Sequence, residues 1–281
     1  MRYRFADITF NINSENYPYF IERCREYETC ACDNYVDVDI EIKEQDEIED
    51  VKAKRIADTL YHLAEDGSYV MKDVLDCKVV NIARIDKDLT KANIIFNKSG
   101  DCDKGVKLFA IVYYIFELVL YKCNGITLHA SAVDYKNKAI LFTAPSGTGK
   151  STQANLWCNN VEDVFIINDD TPALRIIDDT IYVYGTPWSG TSEINKNCRV
   201  EYGATVNIKR ASNNSIIKTD KESMLYYFTL ATRSVPFADL MKHYYDFIGV
   251  LMNKPNYILS CNMTQEAVST AKKVIDESLG L

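Results

Sequence analysis

Residues 138–152 read KAILFTAPSGTGKST, and this stretch carries the strongest local signal for the structure of the second half of the chain. An apolar, β-rich run comes first, a Gly/Ser-rich loop follows, and helix-forming residues come after it. The phosphate-binding pattern G-x-x-x-x-G-K-S/T is met at Gly149, Lys150 and Ser151, while Ala144 replaces its first glycine. The stretch therefore predicts a strand–loop–helix unit that binds nucleotide phosphates.

The residue types of this loop suit a phosphate site. Glycines let backbone N–H groups point at phosphate oxygens, and the N-terminus of the following helix adds positive partial charge. We expect Lys150 to reach the β- and γ-phosphates and the Ser151 hydroxyl to ligate Mg²⁺. A chance Gly/Ser turn is the alternative, and the flanking strand and helix patterns argue against it. The predicted nucleotide-binding residues are Ser146, Gly147, Thr148, Gly149, Lys150, Ser151 and Thr152.

An acidic element follows the loop, as a magnesium site requires. Residues 164–167, VFII, predict a short buried strand that leads into Asn168, Asp169 and Asp170. One carboxylate can hold Mg²⁺ while the other accepts the proton of an attacking hydroxyl, and the residues leave open which does which. The sequence NDDTP is also typical of a turn, which is compatible with a site at a strand end. We take Ser151 and Asp169 as the candidate metal ligands.

His129 is the third candidate for the chemistry, beside the two aspartates and Lys150. It lies in LHAS, within residues 126–134, a run expected to be one strand that forms a hairpin with residues 138–143. A lone histidine in a strand is commonly structural, but this hairpin would carry His129 beside the phosphate loop. The other two histidines, His62 and His243, stand in helical-looking segments and are expected to be structural.

The order of LHAS, the 144–152 loop and INDD resembles the catalytic domain of HPr kinase/phosphorylase and its smaller relatives, such as lasso peptide kinases. Residues 185–190, GTPWSG, resemble the smaller relatives as well. The resemblance covers about residues 106–281. It implies a P-loop domain of the phosphoenolpyruvate-carboxykinase-like type, a mixed sheet with helices rather than a doubly wound parallel sheet.

The same resemblance implies roles for individual residues. Lys150 and Ser151 would bind phosphate and Mg²⁺, and the aspartates at 169 and 170 would divide metal binding and proton acceptance. Glu193 falls where the family keeps an acidic residue. The family segment E-x-R-G-L-G-I, linked to the reverse phosphorolytic reaction, is reduced to CRVEYGA at residues 198–204, so we do not expect phosphorylase activity. The metal-binding lysine and histidine of true carboxykinases cannot be placed.

Composition and charge exclude several classes of protein. The 281 residues are 47% hydrophobic with a net charge of −8, which argues against a nucleic-acid or anionic-membrane partner. Residues 108–120 are too short for a membrane span and contain Glu117, so a buried helix is expected. The nine cysteines include one C-x-C pair, Cys30 and Cys32, with no matching second half. Free thiols without an export signal indicate a reducing cytoplasm.

The predicted fold class is α/β, with a P-loop kinase domain over residues 106–281 and a smaller α+β module over residues 1–105. The polar stretch 97–105 has the composition of a boundary. Within the first module, alternation at residues 3–12 and 35–42 predicts strands, and a short helix is expected between them. The role of this module is not readable from its residues, although its placement suggests a part in substrate choice.

These observations predict an ATP- and Mg²⁺-dependent kinase that transfers the γ-phosphoryl group to a hydroxyl. The acceptor would be a serine of a peptide or small protein, or a small molecule. Arg233 would either contact a substrate phosphate or face solvent. The alternative is a nucleotide-binding sensor or regulatory module without phosphoryl transfer. The oligomeric state stays open, a homo-oligomer included.

Overall fold

The computed structural model of the chain describes residues 1–30, 37–57, 61–75, 78–100, 103–232 and 237–281. The chain divides into two compact units, Met1–Val119 with Pro236–Asp239, and Leu120–Val235 with Leu240–Leu281. The candidate catalytic, nucleotide-binding and metal-binding residues all belong to the second unit. Cys32 and Arg233 lie outside the described residues.

A mixed sheet forms the first unit. In the described residues its strands are β1 Arg2–Phe5, β2 Ile8–Ile12, β3 Val38–Gln45, β4 Ala53–Ala57, β5 Tyr61–Ala64, β6 Tyr69–Leu75, β7 Lys78–Ile85 and β8 Lys91–Asn97. They pair in the order β1-β2-β3-β8-β7-β6-β5-β4. The helices are α1 Pro18–Cys24, a 3-10 turn Arg25–Tyr27, and α2 Lys104–Lys122.

Two local features of this unit differ from the sequence prediction. Residues 3–12 form a hairpin rather than one strand, because Ala6 and Asp7 adopt φ of 48° and 60° and turn the chain between β1 and β2. His62, expected in a helix, lies in β5.

The apolar helix α2 is buried as predicted, and the Tyr113 hydroxyl donates a hydrogen bond to its Glu117 at 2.7 Å. Among the described helices, none is long and apolar enough to cross a membrane.

The second unit is also built on a mixed sheet, with helices packed around it. Its described strands are β9 Gly125–Thr127, β10 Ala130–Tyr135, β11 Lys138–Thr143, β12 Phe165–Asp170, β13 Ala173–Ile177, β14 Thr180–Tyr184, β15 Arg199–Arg210, β16 Ser215–Lys218 and β17 Asn256–Cys261. Its described helices are α3 Lys150–Asn160, α4 Lys221–Ala231, α6 Gln265–Leu279 and α5 Ala238–Leu251, whose first two residues belong to the first unit.

The strand order of this sheet is β12-β10-β11-β15-β14-β13-β9, with β17 beside β15 and β16 beside β17. The β11–β15 and β15–β17 pairs are parallel, and the other pairs are antiparallel. The predicted α/β class with a mixed sheet is therefore confirmed. The finer assignment to the phosphoenolpyruvate-carboxykinase-like type stays a prediction.

The run 126–134, expected as one strand, is broken at His129. Its first part, β9, lies beside β13, whereas its second part, β10, lies between β11 and β12. The break has a physical cause, because the N–H of Leu128 donates to Pro172 O at 3.2 Å and the N–H of His129 donates to Ala231 O at 2.6 Å. His129 therefore lies in the crossover that leads into β10, not within a strand.

Helix α3 is fixed to the sheet by a buried aromatic side chain. Trp157 is fully buried, and its ring lies 5.3 Å from that of Tyr135 on β10 and 5.8 Å from that of Phe142 on β11. Apolar residues of α6 complete this core, among them Ala267, Ala271 and Ile275. Because α3 begins directly after the glycine-rich loop, this packing fixes the position of the loop's C-terminal end.

Candidate active site

The site is assembled by the register of three neighbouring strands. Ala130, the first residue of β10, pairs with Thr143 at the end of β11 and with Asp170 at the end of β12. Ser131 then pairs with Asp169. The glycine-rich loop leaves β11 at this same edge, so antiparallel pairing alone brings the loop, His129 and both aspartates together.

The loop has the backbone that its glycines predict. Gly147 and Gly149 adopt φ of 72° and 122°, and Gly149 is the residue that precedes the first turn of α3. A Cβ on Gly149 would require the flexible Met263 side chain to move, and the φ of 122° itself disfavours any residue other than glycine there. Ser146, Ser151 and Thr152 are exposed on this loop and at the start of α3. The helix N-terminus faces the loop, which favours an anion.

Arg210, the last residue of β15, holds the loop from outside. Its guanidinium donates to the carbonyl oxygens of Gly147 at 2.5 Å and Thr148 at 3.2 Å. Since the C=O and N–H of a trans peptide unit point in opposite directions, fixing the Thr148 carbonyl turns the N–H of Gly149 to the other side. Sequence reasoning missed Arg210, because nothing near it in the sequence marks a contact with the loop.

Three of the candidate catalytic residues form one continuous chain of contacts. Lys150 Nζ lies 2.9 Å from His129 Nε2 and also donates to the Ala144 carbonyl at 3.1 Å. On the other side of the ring, His129 Nδ1 lies 3.0 Å from Asp170 Oδ1. Burial lowers the pKa of Lys150, and the charges of Asp170 and Asp169 only partly restore it. In this contact chain, the imidazole of His129 links the Lys150 side chain to the Asp170 carboxylate.

Asp170 is held ionised and in an unusual conformation. Burial acts to raise the pKa of Asp170. Hydrogen bonds from His129 and Thr171 and the nearby positive charges lower the pKa by more than burial raises it, so it lies below the ordinary value. Its φ of 149° lies in a region that residues with a side chain seldom adopt. Asn168 supports this geometry by accepting the N–H of Thr171 at 2.7 Å. Backbone strain of this kind clusters at functional sites.

Asp169 has a different environment from its neighbour. It is only 4% exposed, and the Ser131 hydroxyl donates to its carboxylate, whereas the Asp170 side chain is 38% exposed. The Asp169 N–H is bonded to Ile194 O at 3.0 Å. The two carboxylates are thus distinguished by access, a difference that adjacent positions in the sequence do not reveal.

The segment 185–196 lies against the aspartates. Asn168 donates to the Thr186 carbonyl at 2.8 Å, and a Cβ on Gly185 would lie 1.9 Å from Lys196 O. A Cβ on Gly190 would come within 3.1 Å of Asp170. Glu193 is exposed on the same segment. The GTPWSG motif therefore supplies backbone that approaches the aspartates closely.

The donor groups present fit Mg²⁺. This cation takes oxygen ligands and is commonly bound by one or two carboxylates together with substrate phosphates and water. The Ser151 hydroxyl and the Asp169 carboxylate are donors of this kind. Within the part of the chain that the structure describes, no group of three or more His, Cys, Asp or Glu side chains is arranged to hold a metal. The donor set suits a cation shared with phosphate.

Comparison with known proteins gives little beyond the site itself. No family model matches the chain, and no curated protein matches it. Among solved structures, the chain is similar to the Hpr(Ser) kinase/phosphatase from Coxiella burnetii, at 11% identity and a TM-score of 0.33. The match covers 53% of this chain and 95% of that chain. A likeness this low does not assign an activity, so any assignment of activity has to rest on the residues of the site.

Proposed function

We propose that this chain is an ATP- and Mg²⁺-dependent kinase that transfers the γ-phosphoryl group to a hydroxyl. The observation that carries the proposal is the contact chain Lys150–His129–Asp170 beside a glycine-rich loop and a helix N-terminus. The Lys150 end of this contact chain suits phosphate binding, and the Asp170 end suits proton acceptance. Phosphoryl transfer to a hydroxyl needs both at one place.

Phosphate binding would use the loop from Ala144 to Thr152. Backbone N–H groups and the start of α3 would surround the phosphates, and Lys150 would turn from His129 toward the β- and γ-phosphates. Ser151 and Asp169 would hold Mg²⁺, which when bound neutralises phosphate charge. Arg210 keeps the loop carbonyls directed away from the phosphates.

The transfer step would be an in-line displacement. The acceptor's hydroxyl oxygen forms a bond to the γ-phosphorus, while the bond from that phosphorus to the β–γ bridging oxygen breaks and ADP leaves. The hydroxyl proton passes to the carboxylate of Asp170, which is ionised and accessible. His129 holds that carboxylate in place. The buried Asp169 suits the metal better than the proton.

The acceptor we propose is a serine of a peptide or small protein. The resemblance of LHAS, the loop and INDD to HPr kinase/phosphorylase and the lasso peptide kinases supports a serine acceptor. The altered segment at residues 198–204 argues against the reverse reaction.

The proposal is tested with γ-phosphate-labelled ATP, Mg²⁺ and the full chain, incubated with a peptide and metabolite pool. The variants are Lys150→Ala and, as a matched control on an exposed face of α6, Lys273→Ala. Calorimetric titration measures nucleotide binding in parallel. We expect transfer that Lys150→Ala abolishes and Lys273→Ala retains. Binding without transfer to any acceptor would support the sensor alternative, and binding that ignores Lys150 would overturn the nucleotide site.

A further inference from the structure

A cavity of about 430 Å³ lies next to the phosphate loop, within the second unit. The loop, the end of β15 and the helix α4 each contribute to its wall. The cavity shares Ala144 and Thr148 with the proposed phosphate loop, whereas its wall from α4 has no role in the proposed phosphate binding or proton transfer. Its volume lies in the range of sites that bind a small ligand or a few side chains.

The backbone carbonyls of two wall residues accept hydrogen bonds from residues of the Lys150–His129–Asp170 contact chain. The Ala144 carbonyl accepts from Lys150 Nζ at 3.1 Å, and the Ala231 carbonyl accepts from the N–H of His129 at 2.6 Å. Lys150 and His129 do not themselves line the cavity, but each is hydrogen-bonded to a residue of its wall. A ligand held here would lie next to the groups proposed to carry out transfer.

The charge of the wall is opposite to that of the whole protein. Lys209 and Arg210 line the cavity, and no Asp or Glu is among its described lining residues, although the chain carries a net charge of −8. Lys209 Nζ lies 5.4 Å from the centroid of the Tyr227 ring, which holds the ammonium at the wall. A local positive potential in an acidic protein favours an acidic ligand.

The helix α4 contributes apolar side chains that are exposed to solvent. Tyr226 and Leu230, one turn apart on α4, are 62% and 56% exposed, and Leu225 beside them is 40% exposed. Adjacent exposed large apolar side chains mark binding surfaces on globular proteins. Tyr226 and Leu230 line the cavity and are also exposed to solvent, so this open wall suits a peptide segment better than an enclosed small molecule.

We infer that this cavity is the acceptor-binding site and that it takes a peptide with an acidic and an aromatic or apolar side chain close to the phosphorylated serine. The inference rests on the proposed kinase function and deepens it. Lys209 would pair with the acidic side chain, and Tyr226 and Leu230 would pack against the apolar one. Arg210 stays with the phosphate loop.

The test uses the full chain, Mg-ATP and four short synthetic peptides with a central serine. Their flanking residues are Glu with Phe, Glu with Ala, Lys with Phe, or Lys with Ala. We expect the Glu–Phe peptide to have the highest kcat/KM. Lys209→Glu should transfer the preference to the Lys peptides, and Tyr226→Ala should raise the peptide KM about 10-fold without changing the KM for ATP.

Two variants serve as matched controls, Lys218→Ala on β16 and Tyr245→Ala, whose side chain is 55% exposed on α5. Both should keep the preference of the native protein. Unchanged preferences in Lys209→Glu and Tyr226→Ala would overturn the inference.

A second readout covers the case in which no peptide is phosphorylated. The same peptides, labelled with fluorescein, are titrated by anisotropy in the presence of a non-hydrolysable ATP analogue. Binding of the Glu–Phe peptide that Lys209→Glu weakens supports the acceptor site. Lys150-dependent nucleotide binding without such peptide binding overturns the acceptor site alone, whereas failure of the native protein to bind nucleotide overturns both proposals.

Discussion

Asp170 combines a φ of 149° with an ionised and partly exposed carboxylate. A residue held in such a region of φ/ψ space costs about 1–3 kcal/mol, which the surroundings must offset. Asn168 and Thr171 provide a hydrogen-bonded frame at this turn, and Gly190 approaches closely without a Cβ. The frame fixes the carboxylate against His129, so that its direction does not depend on a bound substrate.

Replacing Asp170 with Asn removes the proposed proton acceptor and keeps the shape of the side chain. We expect kcat to fall about 10²–10⁴-fold, the usual contribution of a general base, with a much smaller effect on ATP affinity. Steady-state transfer assays and calorimetric titration measure the two effects. Asp178→Asn, at another aspartate with positive φ, is the matched control and should keep full activity. An Asp170→Asn variant with native kcat would assign proton acceptance to another group.

Lys150 predicts a pH dependence of nucleotide affinity. Its pKa lies below the ordinary value because burial disfavours the ammonium more than Asp170 and Asp169 stabilise it. As the pH rises through that pKa, the neutral amine loses its attraction for phosphate, so affinity should fall at a lower pH than for an ordinary lysine. Lys150→Arg keeps its charge throughout this range. Calorimetric titration against pH should find the alkaline decrease only in the native protein, and equal slopes would contradict the assignment.

Among the secondary-structure elements, α3 connects the core to the glycine-rich loop, because it packs against the core and begins directly after the loop. Trp157 contacts Tyr135 and Phe142, two residues of the strands that form the site. Its Nε1 has no hydrogen-bond partner among the described residues, so the attachment is apolar. Because Lys150 lies two turns earlier in the same helix, the packing of Trp157 helps to fix its position.

We expect Trp157→Ala to lower the free energy of unfolding by about 3–5 kcal/mol, as for other large side chains removed from a core. Urea titration followed by circular dichroism measures the change. Trp157→Phe should lose less, and Leu156→Ala, at the partly buried neighbouring position, serves as the matched control. An unchanged midpoint in Trp157→Ala would mean that α3 is held by other contacts.

Elements whose signals are local could be predicted from the sequence. The loop with its flanking strand and helix, and the buried helix α2, follow from contiguous patterns. The break at His129 could not, because residues 126–134 contain no breaker and the partners that interrupt the strand, Pro172 and Ala231, lie far along the chain. Arg210 was missed for the same reason, since it contacts the loop from 62 residues away.

At the scale of the molecule, the proposed nucleotide, metal and acceptor groups belong to one of the two compact units. We expect Mg²⁺ and a non-hydrolysable ATP analogue to slow amide hydrogen exchange at residues 144–152, 165–171 and 185–196. The strands of the first unit should exchange at unchanged rates. Mass spectrometry of the full chain measures this, with Lys150→Ala as the control. Equal protection in both units would place the ligand elsewhere.

The long strand β15 has a consequence for how the protein is made. It pairs with β11 along one edge and with β14 and β17 along the other. Strand β11, which leads into the glycine-rich loop, therefore gains its second neighbour only after residues 201–207 have been synthesised. A nascent chain that stalls earlier would leave β11 with an open edge, the kind of surface on which chains associate wrongly. Ribosome pausing between residues 143 and 199 should therefore decide how much of the protein reaches its native state.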